Sequence, residues 1–321
     1  MAQSSLTVST TVHRRKKPYL QRLMNNIVQY RWVYLMLIPV LAYYMLFHYG
    51  PLYGVQIAFK NFAPGLGIWG SKWIGLDHFI SFFKGVYAER TIRNTITISL
   101  YTMAFGFPAP ILLALLLDEI KKMYYKKLVQ TITYLPHFIS LVVIAGMITD
   151  FCSTNGLFNT IIQSINPDYT KVGLLSRPEL FRSIYVGSGI WQEVGWGSII
   201  YLAALSGVDP QLYEAIVIDG GNRFHRVWHV SIPSILPTII ILLLLRMGSL
   251  MSVGFEKIIL LYNTNTYETA DVISSYVYRR GLLEFSYSFS SAVGLFNNVV
   301  NFILVNLANA VSRRVSETSL W

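Results

Sequence analysis

The sequence is poor in charged residues. Asp, Glu, Lys and Arg together make up only 13% of its 321 residues, whereas 53% are hydrophobic. A soluble domain usually carries about 25% charged residues. Crossing the ~30 Å hydrocarbon core of a bilayer takes about 20 mainly apolar helical residues, and several stretches of this chain reach that length. These proportions exclude an ordinary soluble domain and predict an all-α membrane protein.

The sequence has a single cysteine, Cys152, which excludes an intrachain disulfide bond and a four-cysteine zinc site. His225 and His229 stand four residues apart, a spacing that can present two imidazoles to zinc. However, Arg226 occupies the position where the catalytic motif needs glutamate. We therefore predict no metal site and interpret the two histidines as residues of the membrane interface.

Nucleotide-binding motifs are also missing. Residues 65–70 match GxGxxG, but they lie in a loop beside Pro64 and not between a strand and a helix, where phosphate would meet a helix N-terminus. Residues 70–72 invert the order that a phosphate-binding loop needs. No predicted span carries paired carboxylates or a Ser/His/Asp set. We therefore expect no ATP or other cofactor bound by this chain, no catalytic residue and no enzymatic activity.

Six stretches are long and apolar enough to form membrane-spanning helices. They are residues 32–49, 92–117, 128–149, 184–205, 232–255 and 289–311. Prolines fall inside several of them, namely Pro39, Pro108, Pro110, Pro136 and Pro237. Helices in a membrane tolerate proline because neighbouring helices and Ser/Thr side chains can satisfy the freed carbonyl groups.

Lys and Arg are distributed unevenly between the two sets of connections, and cytoplasmic connections are usually the richer ones. Ten of these residues lie on one predicted side of the membrane. The other side holds fourteen in fewer positions: Arg14, Arg15, Lys16, Lys17, Arg22, Arg31, Lys121, Lys122, Lys126, Lys127, Arg223, Arg226, Arg313 and Arg314.

This distribution places both termini in the cytoplasm. It predicts a basic cytoplasmic tail over residues 1–30, a transmembrane domain over 31–311 and a second cytoplasmic tail over 312–321. The N-terminal tail lacks the short basic region, apolar run and small-residue cleavage site that mark a cleavable signal, so the first span is expected to be a retained anchor. The net charge of +10 is then a topology signal, and no nucleic-acid partner is expected.

The loop between the fourth and fifth predicted spans, residues 207–231, carries strong helix signals. Asp209 is a good N-cap residue and Pro210 suits the first helical position. Gly220 or Gly221 can adopt the left-handed conformation that ends a helix. These features predict a short helix over residues 210–219. A second short helix follows, which Asn222 caps and which proline redirects into the fifth span.

Several residues of this loop form a pattern. Glu214 and Ala215 are followed by Gly220 and then by residues 230–233, Val-Ser-Ile-Pro. The spacing resembles the "EAA" signature of the permeases of binding-protein-dependent ABC importers, with Ile216 in place of the second alanine. Residues 39–60, 271–282 and 294–297 resemble the branch of these permeases that imports oligosaccharides such as aldouronates and alginate.

The resemblance implies a type I ABC importer permease fold with six spans in the bacterial inner membrane. The loop would contain a coupling helix, in which Glu214, Ala215, Asp219 and Gly220 contact an ATPase subunit. The expected partners are a second permease subunit, for which a paralogue is favoured, two ATPase subunits that bind ATP and Mg²⁺, an extracytoplasmic solute-binding protein, the lipid bilayer and an oligosaccharide. The substrate could be an acidic oligouronide, although another solute class stays open.

Polar and aromatic residues at membrane depth are candidates for a translocation pathway, because ionisable groups there are costly and tend to be functional. They are Trp191, Gln192, Glu193, Trp196, Arg246, Asn297 and Asn301. The structural alternative is that the asparagines join helices and the tryptophans lie at the membrane interface.

Residues 271–280 predict a short helix ended by Gly281, with Tyr276 and Arg280 on one face. It could form an outer gate or a docking surface for the binding protein, or rest on lipid headgroups.

Glu193 and Arg246 are expected at the same depth of consecutive helices, which suggests a buried ion pair. In the alternative hypothesis, Arg246 binds a substrate carboxylate and Glu193 has another partner. A secondary carrier or channel and a polytopic membrane enzyme are the competing classes. The absence of an internal repeat argues against a carrier, and the absence of a catalytic set argues against an enzyme.

Overall fold

The computed structural model describes residue 26, residues 28–315 and residues 319–320. The chain divides into two units, residues 1–55 and residues 56–321. Most of the predicted N-terminal tail, residues 1–30, and part of the predicted C-terminal tail, residues 312–321, lie outside the described residues.

The described residues of the first unit are almost all helical. Helix α1, Arg31–Tyr44, contains Pro39 and continues through a wider π-helical turn, Met45–Tyr49, into α2, Gly50–Leu52. None of the described residues of this unit is buried within it. Helical structure over residues 32–49 therefore agrees with the first predicted span.

The second unit begins within a 3₁₀ helix, Tyr53–Phe59, which is followed by a hairpin of two very short antiparallel strands, β1 (Lys60–Asn61) and β2 (Lys72–Trp73). Lys60 pairs with Trp73 across the hairpin, and its Nζ donates a 2.7 Å hydrogen bond to the Ile68 carbonyl. The GxGxxG-like run lies in the connection between the strands. Its residues 67–70 form the single helical turn α3, so the run does not lead from a strand into a long helix.

The rest of the second unit is helical. Its helices are α3 (Gly67–Gly70), α4 (Asp77–Lys84), α5 (Ala88–Tyr101), α6 (Pro108–Asp118), α7 (Met123–Tyr134), α8 (Leu141–Phe151), α9 (Leu157–Ile165), α10 (Pro178–Ser206), α11 (Pro210–Ile218), α12 (Arg223–Arg226), α13 (Ile232–Met247), α14 (Phe255–Leu261), α15 (Tyr267–Ala270), α16 (Ile273–Tyr278) and α17 (Tyr287–Val315).

Four continuous helical stretches among the described residues are long and apolar enough to cross a membrane: Arg31–Phe59, Ala88–Asp118, Arg223–Met247 and Tyr287–Arg314. They correspond to the predicted spans one, two, five and six. The helical membrane fold is thus confirmed, but the third, fourth and fifth predicted spans differ from the expectation.

The third predicted span, residues 128–149, is broken. It consists of two segments, Met123–Phe138 and Leu141–Phe151, that are bent by 101° at the break. Pro136 lies in the tight 3₁₀ turn that ends the first segment, and Ser140 caps α8 by accepting a hydrogen bond from the Val143 amide. A new N-cap directly after a proline turn favours a change of direction over a continuous helix.

The fourth predicted span, residues 184–205, forms part of α10, which has 29 residues. At 1.5 Å per residue this helix is about 43 Å long, which is enough to cross a bilayer. It is nevertheless not apolar enough to be one of the four candidate spans given above. The reason lies in its middle, where Gln192 and Glu193 stand among glycines and serines and lower its average hydropathy.

The fifth predicted span also has different ends. A continuous helix runs from Arg223 to Met247, so Pro233 does not redirect the chain and Phe255 lies outside the span. The helix passes through a π-helical turn, Val227–Ser231, immediately before this proline. The predicted second short helix is therefore the first turn of the fifth span.

The same arrangement recurs at two other prolines. A π-helical turn, Thr102–Gly106, precedes Pro108 in the second span, and Met45–Tyr49 precedes Pro51. A proline ring clashes with the carbonyl group four residues earlier in a regular α-helix. A wider turn changes the hydrogen-bonding pattern of that carbonyl group, as π-bulges do, and lets the helix continue.

An ion-pair network lies between α5, α10 and the segment after α15. Asp271 is completely buried and accepts hydrogen bonds from Arg90 at 2.9 Å and from both terminal nitrogens of Arg279 at 2.9 and 2.8 Å. Asn94 donates to the Asp271 carbonyl at 3.0 Å and accepts from Arg182 at 2.9 Å. The network joins the first half of α5 to the connection between the fifth and sixth spans.

The environment of Arg279 is dominated by Asp271. Burial by itself would lower the pKa of Arg279, but the hydrogen bonds and the negative charge of Asp271 raise that pKa above its ordinary value. Arg279 lies in a π-helical turn, Arg279–Leu283, that extends α16. The predicted helix end at Gly281 is therefore wrong. Gly281 lies inside this turn, where a Cβ atom would come within 3.0 Å of Ser290.

Two glycines of α10 allow neighbouring helices to approach closely. A Cβ atom on Gly195 would lie 2.0 Å from the Thr133 carbonyl oxygen of α7, and one on Gly197 would lie 3.0 Å from the Pro110 ring of α6. Small residues at such contacts let backbones pack directly in membrane proteins. Helix α10 is therefore held between α6 and α7 by contacts that a larger residue could not make.

We expect Gly195→Ala to destabilise the protein by roughly 1–3 kcal/mol, because the new methyl group would overlap backbone atoms of α7. Gly187→Ala is the matched control, since a Cβ atom there meets nothing within 4 Å. Thermal unfolding of the purified proteins in detergent would compare the two. Equal midpoints for the two variants would contradict the close approach of α7 and α10.

We also expect Asp271→Asn to destabilise the protein by about 3–5 kcal/mol, because two partly buried arginines would lose their fully buried carboxylate partner. Asp168→Asn serves as the control, since Asp168 is exposed and forms no ion pair with the described residues. The measurement is again the unfolding midpoint. A loss no larger than that of the control would show that the network contributes little.

Candidate translocation cavity and coupling segment

A cavity of about 570 Å³ lies within the second unit. Its walls come from the second span, from α10, from α13 and from α14. The lining side chains that carry polar, charged or aromatic groups are Thr102, Phe107, Tyr185, Gln192, Glu193, Trp196, Tyr201, Arg246 and Lys257.

Four of the seven predicted pathway residues, Gln192, Glu193, Trp196 and Arg246, line this cavity. Trp191 does not, because it projects from another face of α10. Neither Asn297 nor Asn301 lines the cavity.

The two asparagines instead hold the segment between α13 and α14. Asn301 accepts a 2.8 Å hydrogen bond from the Met251 amide and donates to Ser252 at 3.0 Å, and Asn297 donates to the Met251 carbonyl at 3.3 Å. Ser99 of α5 donates to the Leu250 carbonyl in the same segment. The segment that leads from Arg246 to Lys257 is therefore anchored to α17 and α5.

The predicted ion pair between Glu193 and Arg246 does not form. Glu193 Oε2 lies 3.0 Å from His137 Nδ1 instead. The His137 ring also stacks on Trp196, with 4.4 Å between the ring centres and 3° between the planes. The prediction considered only depth along consecutive helices. The break in the third span decides the pairing, because it brings the His137 turn against the Glu193 face of α10.

Arg246 has no acidic partner among the described residues. Its side chain is exposed to the cavity and to a smaller adjoining one of about 60 Å³ that Tyr185 also lines. This position agrees with the alternative hypothesis, in which Arg246 is available to a carboxylate and Glu193 has a different partner.

Lys257 is a second cation at the cavity that sequence analysis missed. It is only 8% exposed, and its Nζ donates to the Tyr185 carbonyl at 3.3 Å and lies 5.2 Å from the centre of the Tyr185 ring. Burial lowers the pKa of Lys257 to about 8, against the opposing effect of Glu193. The available signal was a lysine directly before four apolar residues, 258–261, outside the predicted spans.

The predicted helix of the loop between the fourth and fifth spans is present as α11. The Asp209 carboxylate caps it by accepting a 2.9 Å hydrogen bond from the Gln211 amide. Gly220 follows the helix with φ +77°, which is the left-handed conformation that glycine adopts without strain. Asn222 caps the next helix through a capping box with His225, as predicted.

The four residues of the predicted coupling contact, Glu214, Ala215, Asp219 and Gly220, are all exposed. Apolar side chains are exposed beside them: Leu212 is 49% exposed, Val217 56% and Ile218 85%. A cluster of exposed apolar residues on a helix outside the candidate spans indicates a surface that another protein covers.

Two contacts that sequence analysis missed connect α11 and its loop to the spans. The hydroxyl groups of Tyr213 and Ser231 lie 3.1 Å apart. Arg226 donates a hydrogen bond to Glu119 at the end of the second span, and both side chains are about four-fifths buried. Glu119 stood next to a lysine-rich connection, so nothing in its local sequence indicated a distant partner.

Tyr276 and Arg280 have different environments. Tyr276 is buried and packs against Phe82 and Phe289, whereas Arg280 is partly exposed, pairs with Glu284 and lies 5.4 Å from the centre of the Phe289 ring. Their role at an outer gate or docking surface stays a prediction.

Comparison with known proteins agrees with this geometry. Residues 106–317 match the family model described as "binding-protein-dependent transport system inner membrane component". Protein LplB of Bacillus subtilis (strain 168) is 42% identical over 292 residues, which cover 91% of each chain. The polygalacturonan/rhamnogalacturonan transport system permease protein YteP of the same organism is 40% identical over 307 residues, 95% of each chain.

The fold also has a close counterpart among solved structures. A chain in the crystal structure of a bacterial alginate ABC transporter, in complex with a periplasmic protein that carries an alginate pentasaccharide, is 43% identical. It superposes with a TM-score of 0.86 over 93% of this chain and 100% of that chain. Together, the matched family model, the similar sequences and the type I permease fold show that this chain belongs to the binding-protein-dependent transport system inner membrane components, the permease subunits of ABC importers.

Proposed function

We propose that this chain forms, with a second permease subunit, the translocation pathway of an ATP-driven importer of acidic oligosaccharides. The second subunit would be a paralogue, two separate ATPase subunits would bind ATP and Mg²⁺, and an extracytoplasmic binding protein would deliver the substrate. Both termini would lie in the cytoplasm. The bias of Lys and Arg between the two sets of connections supports this orientation.

The observation that carries the coupling part of the proposal is the surface of α11. Glu214 and Ala215 occupy the positions of the family signature on an exposed helix, next to exposed Leu212, Val217 and Ile218. An ATPase subunit seated on this surface would cover the apolar side chains and could pair a basic residue with Glu214. The exposed backbone at Ala215 would let that subunit approach closely.

Movement of α11 would reach the spans through the contacts already described. The Tyr213 and Ser231 hydroxyl groups connect it to the fifth span, and the pair between Arg226 and Glu119 connects the same span to the second. Alternating access would follow when the two ATPases close and the spans move around a fixed substrate site, as in other transporters.

The composition of the cavity supports an acidic sugar as the substrate. Two cations, Arg246 and Lys257, and one carboxylate, Glu193, lie at its surface, and the carboxylate already contacts His137. Trp196 and Tyr185 offer aromatic surfaces on which sugar rings can pack. One similar protein is named as a polygalacturonan/rhamnogalacturonan transport system permease, and one similar solved structure is described as a transporter involved in the import of the acidic polysaccharide alginate.

We expect Glu214→Ala and Gly220→Val to leave the chain inserted in the membrane but to uncouple transport from ATP hydrolysis. The first change removes the charge at the ATPase contact. The second forces a β-branched residue into a left-handed conformation. Substrate-stimulated ATP hydrolysis and uptake in proteoliposomes of the complete complex would be measured together, and both are expected to fall at least about tenfold.

Gly220→Asn is the matched control, because asparagine tolerates positive φ better than most residues. It should retain most of the coupling. Normal hydrolysis and normal uptake in both Glu214→Ala and Gly220→Val would remove the basis for assigning α11 to the ATPase contact.

We further expect a negatively charged oligosaccharide, such as an alginate pentasaccharide or an oligogalacturonate, to stimulate ATP hydrolysis by the complex in the presence of its binding protein. Maltopentaose, which is neutral, should not. Stimulation by maltopentaose but by neither uronide would reject the acidic substrate class and leave the permease assignment intact.

A further inference from the structure

We infer that Lys257 and Arg246 together form a carboxylate-binding subsite in the cavity, which selects uronate residues over neutral sugars. The inference rests on the proposed function and adds a specificity site to it. Its chemistry is a pair of cations on consecutive elements, one buried and one exposed to the cavity, that share a single carboxylate.

Lys257 is the unusual member of this pair. A buried lysine normally has a carboxylate partner, because an unpaired charge away from water costs several kcal/mol. Among the described residues Lys257 has no carboxylate within ion-pair distance. Its known contacts are the carbonyl group and the ring of Tyr185. These contacts orient the ammonium group but leave its charge without a counter-ion.

The surroundings of the ammonium group leave space on the cavity side. A Cβ atom on Gly189 would lie 3.5 Å from Lys257 Nζ, so the ammonium group lies next to bare backbone of α10. Gly189 and Lys257 both line the cavity. A carboxylate that enters there could approach the ammonium group without displacing a side chain of α10 at this point.

Arg246 reaches the same region from the fifth span. It lines the main cavity together with Lys257, and it lines the smaller cavity with Tyr185, Ser249 and Ser252. Its planar guanidinium group can bind a carboxylate through two parallel hydrogen bonds. Tyr185 lines both cavities, and its carbonyl group accepts the hydrogen bond from the Lys257 ammonium group.

The other charged group of the lining would not compete for these cations. Glu193 contacts His137 and lies on the part of α10 that faces the broken third span. It is too far from Lys257 to form an ion pair, although its charge is felt there. The cavity therefore keeps two cations available for an anionic ligand, and Tyr185 and Trp196 add aromatic rings to the lining of the same cavity.

A carboxylate from the second permease subunit is the alternative occupant. It would neutralise the same cations but would serve assembly and not substrate selection. The two possibilities differ in what a neutral replacement of Lys257 changes: binding of acidic sugars in one case, and association of the subunits in the other.

The test measures equilibrium binding of a galacturonate pentamer and of its fully methyl-esterified form to the complete complex in nanodiscs. The esters remove the charges but keep the sugar chain. Lys257→Met is expected to weaken binding of the acid at least tenfold and binding of the ester by less than threefold. Lys257→Arg should keep most of the preference for the acid, and Arg246→Met should lose it.

Lys84→Met is the matched control, because Lys84 is exposed and lies outside the cavity. It should leave both affinities unchanged. Co-purification of the subunits is measured for every variant. Complexes of Lys257→Met that assemble normally and keep the wild-type preference for the acid would overturn the inference. Loss of subunit association in Lys257→Met, with the acid preference retained in the complex that still forms, would overturn it in favour of the second subunit.

These outcomes separate the subsite from the proposed function. If the wild-type complex fails to bind the galacturonate pentamer and an alginate pentasaccharide, and neither stimulates hydrolysis, the acidic substrate class is wrong and the subsite falls with it. If the wild-type complex prefers the acid and Lys257→Met does so equally, the subsite alone is wrong.

Discussion

The second unit depends on the close packing of one polar helix against its neighbours. Gly195 and Gly197 bring the backbone of α10 against Thr133 of α7 and the Pro110 ring of α6. Gly197 and Pro110 line the cavity together with Gln192 and Glu193, so the close packing of α10 on α6 lies beside these polar groups. The second span, α13 and α14 complete the wall of the cavity around α10. Helix packing by glycine therefore makes room for polar groups at the centre of a membrane protein.

The charged groups of the second unit fall into two classes. Asp271 is buried with two arginines and several hydrogen bonds, which is the arrangement that a buried charge requires. Lys257 is almost as buried but lacks a carboxylate among the described residues. The first arrangement stabilises the fold, whereas the second keeps a charge available at a cavity. This contrast is the physical basis for assigning a structural role to one group and a recognition role to the other.

Much of the helical organisation could be predicted from the sequence, because it depends on local rules. The cap at Asp209, the left-handed residue at Gly220 and the cap at Asn222 each require only a few neighbouring residues. The ends and breaks of the spans were harder to predict. Pro136 lies in the 3₁₀ turn at the break of the third span, whereas Pro233 follows a π-helical turn in a fifth span that stays continuous. Such a turn forms only when the surrounding helices accommodate it, so a list of prolines does not reveal it.

The sequence by itself determined that this chain is a helical membrane protein, that it carries a short helix with the family signature, and which polar residues occur within its spans. Only the tertiary structure decided which of those residues meet. Depth along a helix follows from residue number, and it placed Glu193 and Arg246 at one level. The direction of a side chain depends on how each helix is rotated and on which element fills the space beside it. Because the third span is bent, His137 lies next to Glu193 and pairs with it. Because the segment after α13 is anchored, Lys257 contacts Tyr185 and lines the same cavity as Arg246.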